Sequence, residues 1–165
     1  IKKIKKLNPA TKIEVLIPDF QGQKSDIQRV IDTAPEVLAH NLETVPQLYK
    51  KARPQANYKQ SLEVIRYAKK QNQITKSGIM VGLGETNEQI ISLMKDAREA
   101  GCELFTIGQY LQPTKKHLPT DRYVTPEEFE YFEKKGLELG FSQVMSGPLV
   151  RSSYRAGEMY KNAVD

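Results

Sequence analysis

The chain has 165 residues, 39% of them hydrophobic, and carries 25 Lys+Arg against 20 Asp+Glu for a net charge of +5. That length suits one domain, or part of a larger one, and no run approaches the roughly 20 apolar residues that a membrane-spanning helix needs. One cysteine excludes an intrachain disulfide and a cysteine-rich metal site, and a basic excess scattered among acidic helices argues for a solvated surface over nucleic-acid binding.

The first residues, IKKIKK, are basic, but no apolar region or small-residue cleavage site follows them as in a secretory signal. The sequence opens on Ile and not Met, which leads to the expectation that the natural N-terminus lies upstream. The apolar run Ile13–Ile17 reads as a strand ending in PDFQGQ. In SDIQRVIDTA, Ser25 and Gln28 have capping-box spacing, and Ile27, Val30, Ile31 and Ala34 share a helical face up to Pro35. EVLAHNLET is a short buried strand with a polar end. NYKQSLEVIRYAKKQ is a second helix with Tyr58, Leu62, Ile65 and Ala68 facing inward.

TKSGIMVGL is a third strand. Thr86 and Gln89 then cap the helix TNEQIISLMKDAREAG, and Gly101 stands at its stop position. CELFTIGQYL is a fourth strand, whose Cys102 reads as a small apolar residue entering it. Thr125, Pro126 and Glu128 open a further helix, and FSQVMSGP reads as a last strand before LVRSSYRAG.

This alternation predicts an α/β fold with a parallel sheet and right-handed crossovers. About five units are too few for a closed eight-stranded barrel. A partial (β/α) barrel fits better than a doubly wound sheet, since no G-x-G-x-x-G opens a helix. Ligands of parallel α/β proteins bind beyond the C-terminal strand ends. Those ends read PDF, HNLET, GLGET, GQYLQP and SGP-LVRSSY, each rich in glycine, amide, hydroxyl or carboxylate groups.

Each segment has two readings. Gly78, Gly82 and Gly84 admit a second backbone or a flat ligand; Glu85 either accepts from a ribose or ammonium, or favours the next helix N-terminus. Asn41 and Glu43 point to one side of their strand, His40 and Leu42 to the other. The first pair lines a polar cofactor site or satisfies itself internally, while His40 reads as structural. Gly108, Gln109, Tyr110 and Gln112 offer backbone, amide and phenol groups or are a plain strand exit. Lys115, Lys116 and His117 are a solvated loop or a grip on a protein substrate. In RSSY, Arg151 with Ser152 and Ser153 is an anion site or a hydroxyl-stabilised turn. No nucleophile elbow, zinc spacing or P-loop occurs.

Taken together, VLIPDFQG, HNLETVPQLY, RPQANYKQSL, TKSGIMVGLGET, TIGQYLQPTKKHLP, RYVTPEEF and SGPLVRSSYRAG, in this order over residues 13–157, resemble the lipoyl synthase family of radical S-adenosylmethionine enzymes. The resemblance implies a partial (β/α) barrel with two four-iron, four-sulfur (4Fe-4S) clusters and S-adenosylmethionine. Its activity is sulfur insertion at C6 and C8 of an octanoyl group on a lipoyl carrier domain, with an auxiliary cluster as sulfur source. It implies cofactor contacts at Asn41, Glu43, Gly78, Met80, Gly82, Glu85, Gly108, Gln109 and Tyr110. It makes Arg151, Ser152 and Ser153 catalytic, and one serine oxygen, Ser153 taken before Ser152, a ligand of the auxiliary cluster. An oxygen matches iron less well than sulfur, which suits a cluster meant to be dismantled.

The implied partners are octanoylated carriers (2-oxoacid dehydrogenase acyltransferase subunits and the glycine-cleavage carrier protein) and a reductant such as flavodoxin or ferredoxin, with no nucleic acid or membrane. The implied compartment is the cytoplasm, or the mitochondrion in a eukaryote. The family's two cysteine triads have no match, because Cys102 corresponds to none of them. The expectation is therefore the C-terminal portion, residues 1–165, of a single radical S-adenosylmethionine domain, inactive alone. The rival readings are a phosphate-binding barrel lyase, with Lys76 as its one candidate lysine, and a non-catalytic fragment that docks the carrier.

Overall fold

The apolar runs become five parallel strands: β1 (Glu14–Leu16), β2 (Val37–Ala39), β3 (Ile74–Val81), β4 (Leu104–Gln109) and β5 (Gln143–Gly147). The structure, a computed structural model, describes residues 1–164. Strand order follows sequence order, β1-β2-β3-β4-β5. A doubly wound sheet reverses direction from its centre; a sequential sheet with right-handed crossovers places every crossover helix on one side. The architecture is therefore that of a partial (β/α) barrel, with helices outside and a concave inner face.

The outer layer comprises α2 (Lys24–Ile31), α4 (Tyr58–Lys70), α5 (Asn87–Glu99) and α6 (Pro126–Glu138). Their apolar stripes, with Ile65, Leu93, Met94 and Phe132 almost wholly buried, pack on Ile79, Val81, Phe105, Ile107 and Val144 of the sheet. A smaller cluster joins Ile27, Ile31, Val64 and Ala68 to Leu38. Each such large side chain contributes about 1.5–3 kcal/mol through removal from water, so this layer carries the stability.

Strand register assigns the opposite face. Ala39, Lys76, Leu104 and Gln143 lie side by side, as do Gly78 and Thr106. At the N-terminal strand ends α7 (Ala156–Val164) closes this face, burying Met159 against Val37 and Leu104. Above that floor Lys76, 1% exposed, holds both carboxylate oxygens of Glu14 at 3.0 and 2.9 Å. The C-terminal ends stay open to ligands.

The capping boxes at Thr86–Gln89 and Thr125–Glu128 form as expected, and Gly101 ends α5 at φ 93°. The one expected at Ser25–Gln28 does not. Gln23 is the N-cap of α2, Ser25 lies inside the helix, and the Gln28 side chain turns to Asp32 and Tyr67. Ala34 is exposed beyond the helix end at φ 54°, so only Ile27 and Ile31 of its proposed face are fully buried. Three helices escaped the periodicity: α1 (Lys2–Leu7), which buries nothing, the single turn α3 (Tyr49–Ala52), and α7, which buries only Met159. Neither α1 nor α3 has an apolar stripe to leave such a signal, whereas Met159, Tyr160 and Ala163 of α7 do share one face.

Candidate functional site

Beyond β2 the chain stays parallel to β3. The Glu43 N–H donates to the Gly78 carbonyl at 3.0 Å, and the Met80 N–H donates to the Glu43 carbonyl at 2.8 Å. Between these bonds Glu43 is held at φ 67°. For a residue with a Cβ this left-handed conformation costs about 1–3 kcal/mol, and such strain gathers at ligand sites. Asn41 Nδ2 donates to Glu43 Oε1 at 3.2 Å, while Asn41 Oδ1 is buried with no partner among the described residues.

Three cavities meet at Glu43. One of about 560 Å³ lies at the ends of β1 and β2, between Asp19, His40, Asn41 and Arg53. A second, of about 530 Å³, has apolar walls from Met80, Leu83, Tyr110 and Leu111, with Lys51, Arg53, Lys116 and His117 around it. The third, of about 170 Å³, lies on the concave face between Asn41, Gly78, Met80, Thr106, Gly108, Arg151 and Ser152. Of the expected cofactor residues, Asn41, Glu43, Gly78, Met80, Gly108 and Tyr110 thus line one connected region.

The glycines serve protein contacts. A Cβ on Gly108 would lie 2.2 Å from the Val150 carbonyl and 3.0 Å from Arg151 Nη1, so this glycine lets the chain after β5 cross the sheet. A Cβ on Gly82, at φ 96°, would meet the Arg122 carbonyl and Gln109 Nε2 at 2.4 Å. Two of the expected cofactor residues have their polar atoms engaged by the protein's own backbone. Both Glu85 oxygens accept backbone N–H groups, Gly82 at 2.6 Å and Leu83 at 3.0 Å, so the carboxylate locks the glycine turn. Gln109 shares its register and face with Val81 on the helix side. Its Nε2 donates to the carbonyls of Val81, Tyr110 and Arg122, and its Oε1 accepts from the Val124 N–H.

In the RSSY stretch, Arg151 and Ser152 line the third cavity. Ser153 is exposed beside it, its carbonyl accepting from the Ala156 N–H at 3.3 Å. Of the two serines, Ser152 thus lines this cavity and Ser153 does not. His40 is buried, its Nδ1 2.9 Å from the Ile17 carbonyl, and burial holds its imidazole below the usual histidine range. Lys76, the barrel lyase's candidate, sits low on β3 and is fully engaged by Glu14, so it offers no amine to a carbonyl at the rim.

Two residues of the site escaped sequence reasoning. Arg53 lines both larger cavities, but in YKKARPQ it read as one more surface cation. Asp19, in PDFQG, faces the first cavity. Partial burial opposes its ionisation, but the Gln21 N–H and the Gln60 amide outweigh that and hold its carboxyl below the usual range.

A family model described as the Radical SAM superfamily matches residues 1–97. The chain belongs to this superfamily. It is 54% identical over 164 residues to a lipoyl synthase of Frankia alni, covering 99% of this chain and 50% of that protein. It is 55% identical over 157 residues to a mitochondrial lipoyl synthase of Nematostella vectensis, covering 94% of this chain and 54% of that protein. The chain spans about half the length of the curated relatives it matches.

Superfamily membership implies S-adenosylmethionine and an iron–sulfur cluster, and the residues present fit these two groups differently. The buried, unpartnered Asn41 Oδ1 and the apolar walls of Met80, Leu83 and Tyr110 suit a nucleoside with polar substituents. A cluster does not fit. The described residues contain no group of three or more His, Cys, Asp or Glu able to hold a metal. Cys102 is wholly buried outside the cavities, its Sγ donating to the Leu104 carbonyl at 3.2 Å, and burial pushes its thiol far above the usual range. Among the described residues, no helix is long and apolar enough to cross a membrane.

Proposed function

We propose that this chain is the C-terminal portion of a lipoyl synthase domain, serving the insertion of two sulfur atoms at C6 and C8 of a protein-bound octanoyl group. The observation that carries the reading is identity of 54% across 99% of the chain, which includes every strand end that builds the three cavities. Asn41 and Glu43 would bind the polar groups of S-adenosylmethionine, and Met80, Leu83 and Tyr110 would enclose its adenine. When bound and given one electron from a low-potential donor through a cluster held by residues outside this chain, S-adenosylmethionine would supply hydrogen-atom abstraction from unactivated carbon. This chain's residues orient the molecule and exclude water around it.

Arg151 and one of Ser152 and Ser153 would face the reacting groups, the serine as a single oxygen donor. The thiolates of both clusters would come from residues outside this chain, since Cys102 is inaccessible. The partners would be octanoylated carrier domains and a low-potential electron donor, in the cytoplasm or the mitochondrial matrix.

The test is a chimera in which this chain replaces the half of the Frankia alni protein that it matches. Anaerobically, with S-adenosylmethionine, reductant and an octanoylated carrier, mass spectrometry should find the carrier converted to its lipoyl form. A folded, cluster-loaded chimera that leaves the octanoyl group intact would overturn the proposal. Alone, the 165 residues should bind almost no iron after reconstitution.

A further inference from the structure

The net charge of +5 reads as scattered along the sequence, but the fold gathers it. Residues 44–62, from the rim beside Glu43 into α4, contain Lys50, Lys51, Arg53 and Lys59 and no carboxylate. Residues 104–120, β4 and the loop beyond it, contain Lys115 and Lys116 and again no carboxylate. The other 19 of the 25 Lys+Arg stand against all 20 Asp+Glu, so the rest of the chain is close to neutral. Far apart in sequence, the two segments meet in space. Lys51 and Arg53 from the first, with Lys116 and His117 from the second, border the second cavity.

The loop after β4 is built to hold that position. The Tyr110 hydroxyl donates to the Leu118 carbonyl at 2.8 Å, Gln112 Nε2 to the His117 carbonyl at 2.8 Å, and the His117 N–H to the Thr114 carbonyl at 2.9 Å. Closed on itself in this way, the loop leaves Lys115 and Lys116 exposed. Among the described residues no carboxylate pairs with Lys50, Lys51, Lys115 or Lys116, whereas Lys135 on α6 pairs with Glu138. Between these cations lies an apolar patch, since Leu111, 48% exposed, lines the same cavity with Pro113 and Leu118. An apolar centre inside a charged border is the make-up of a protein-docking surface, and unpaired charges of one sign steer a partner of the other.

Resting on the lipoyl synthase reading, we propose that residues 50–53 and 111–118 are the surface on which the carrier domain docks, and that they recognise carboxylates flanking its acylated lysine. The acyl chain on that lysine then meets the apolar patch at the cavity mouth. The lysines of this surface act on encounter, raising the rate of productive approach, and do not touch the reacting atoms.

Association and dissociation rates of the protein on an immobilised octanoylated carrier domain test this. Lys115→Gln with Lys116→Gln should slow association about five- to ten-fold and change dissociation by less than about two-fold. Lys2→Gln with Lys3→Gln removes the same charge from α1, which Lys5 ties to Glu36 at the start of β2, and should leave both rates within about two-fold. Amides in place of the carboxylates beside the carrier's acylated lysine should reproduce the slow association, with no further loss when combined with the Lys115 and Lys116 substitutions. A short octanoyl-lysyl peptide without carboxylates should bind every variant within about two-fold of the unsubstituted protein.

Equal slowing by the α1 pair, no slowing by the Lys115 and Lys116 pair, or tighter binding of a DNA duplex that the same pair abolishes would overturn the proposal. Binding of the peptide but not of the carrier would also overturn it and leave the functional reading standing. If neither binds the unsubstituted protein, the functional reading falls with it.

Discussion

The glycine turn after β3 and the rim around Glu43 are built from the same residue types and differ in what their polar atoms do. In the turn, both Glu85 oxygens and both ends of the Gln109 amide have backbone partners. At the rim, Asn41 Oδ1 has none and Arg53 uses one nitrogen of its fork. Polar groups whose bonds are complete hold a shape, whereas groups held on one side retain capacity for a ligand. The turn accordingly reads as scaffold and the rim as binding surface, though the family resemblance implied cofactor contacts in both.

Substitutions in the turn should therefore reduce stability and those at the rim should reduce binding. The largest effect is expected from Gly82→Ala, which puts a Cβ at φ 96° and within 2.4 Å of the Arg122 carbonyl. Strain and overpacking together should cost about 3 kcal/mol or more in urea unfolding. Gln109→Leu should follow at about 2–3 kcal/mol, because the buried Val124 N–H loses its acceptor. Asn41→Ala sharpens the contrast, with unfolding changed by less than about 1 kcal/mol and S-adenosylmethionine bound about ten-fold more weakly. A loss above about 2 kcal/mol at Asn41 would erase the distinction between the two regions.

pH offers a gentler probe. Burial lowers the His40 pKa, so below about 6.5, its unfolded value, the unfolded chain binds the extra proton. The stability from keeping His40 neutral is complete above that pH and declines as pH falls from there toward the folded value. The urea midpoint should drop between about pH 7 and 5, and His40→Gln should flatten that drop. Smallest of all, Ser153→Ala, on an exposed turn, should shift stability by less than about 0.5 kcal/mol.

Much of this was legible in the chain. The five strands, the helix layer and two of three capping boxes follow from apolar periodicity and cap spacing, which are local signals. Alternation along β4 also makes the Gln109 result readable in retrospect, since adjacent Gly108 and Gln109 cannot both face the concave side. The rest is tertiary. Nothing in YKKARPQ distinguishes Arg53 from Lys50 and Lys51 until Tyr49 packs beneath it. The purpose of Gly108 appears only when Val150, more than forty residues on, crosses above it. RSSY shows its composition in sequence, but which serine faces inward depends on how the turn after β5 is tied down.

The central claim is that the ligand meets the rim and not the turn. A crystal structure of the protein with S-adenosylmethionine tests that most directly. Hydrogen bonds to the ligand from Asn41 and Glu43, its adenine between Met80 and Tyr110, and Glu85 and Gln109 still holding their backbone partners are the predicted result. A ligand bound by the Glu85 carboxylate or the Gln109 amide, with the Glu43 junction empty, would contradict it.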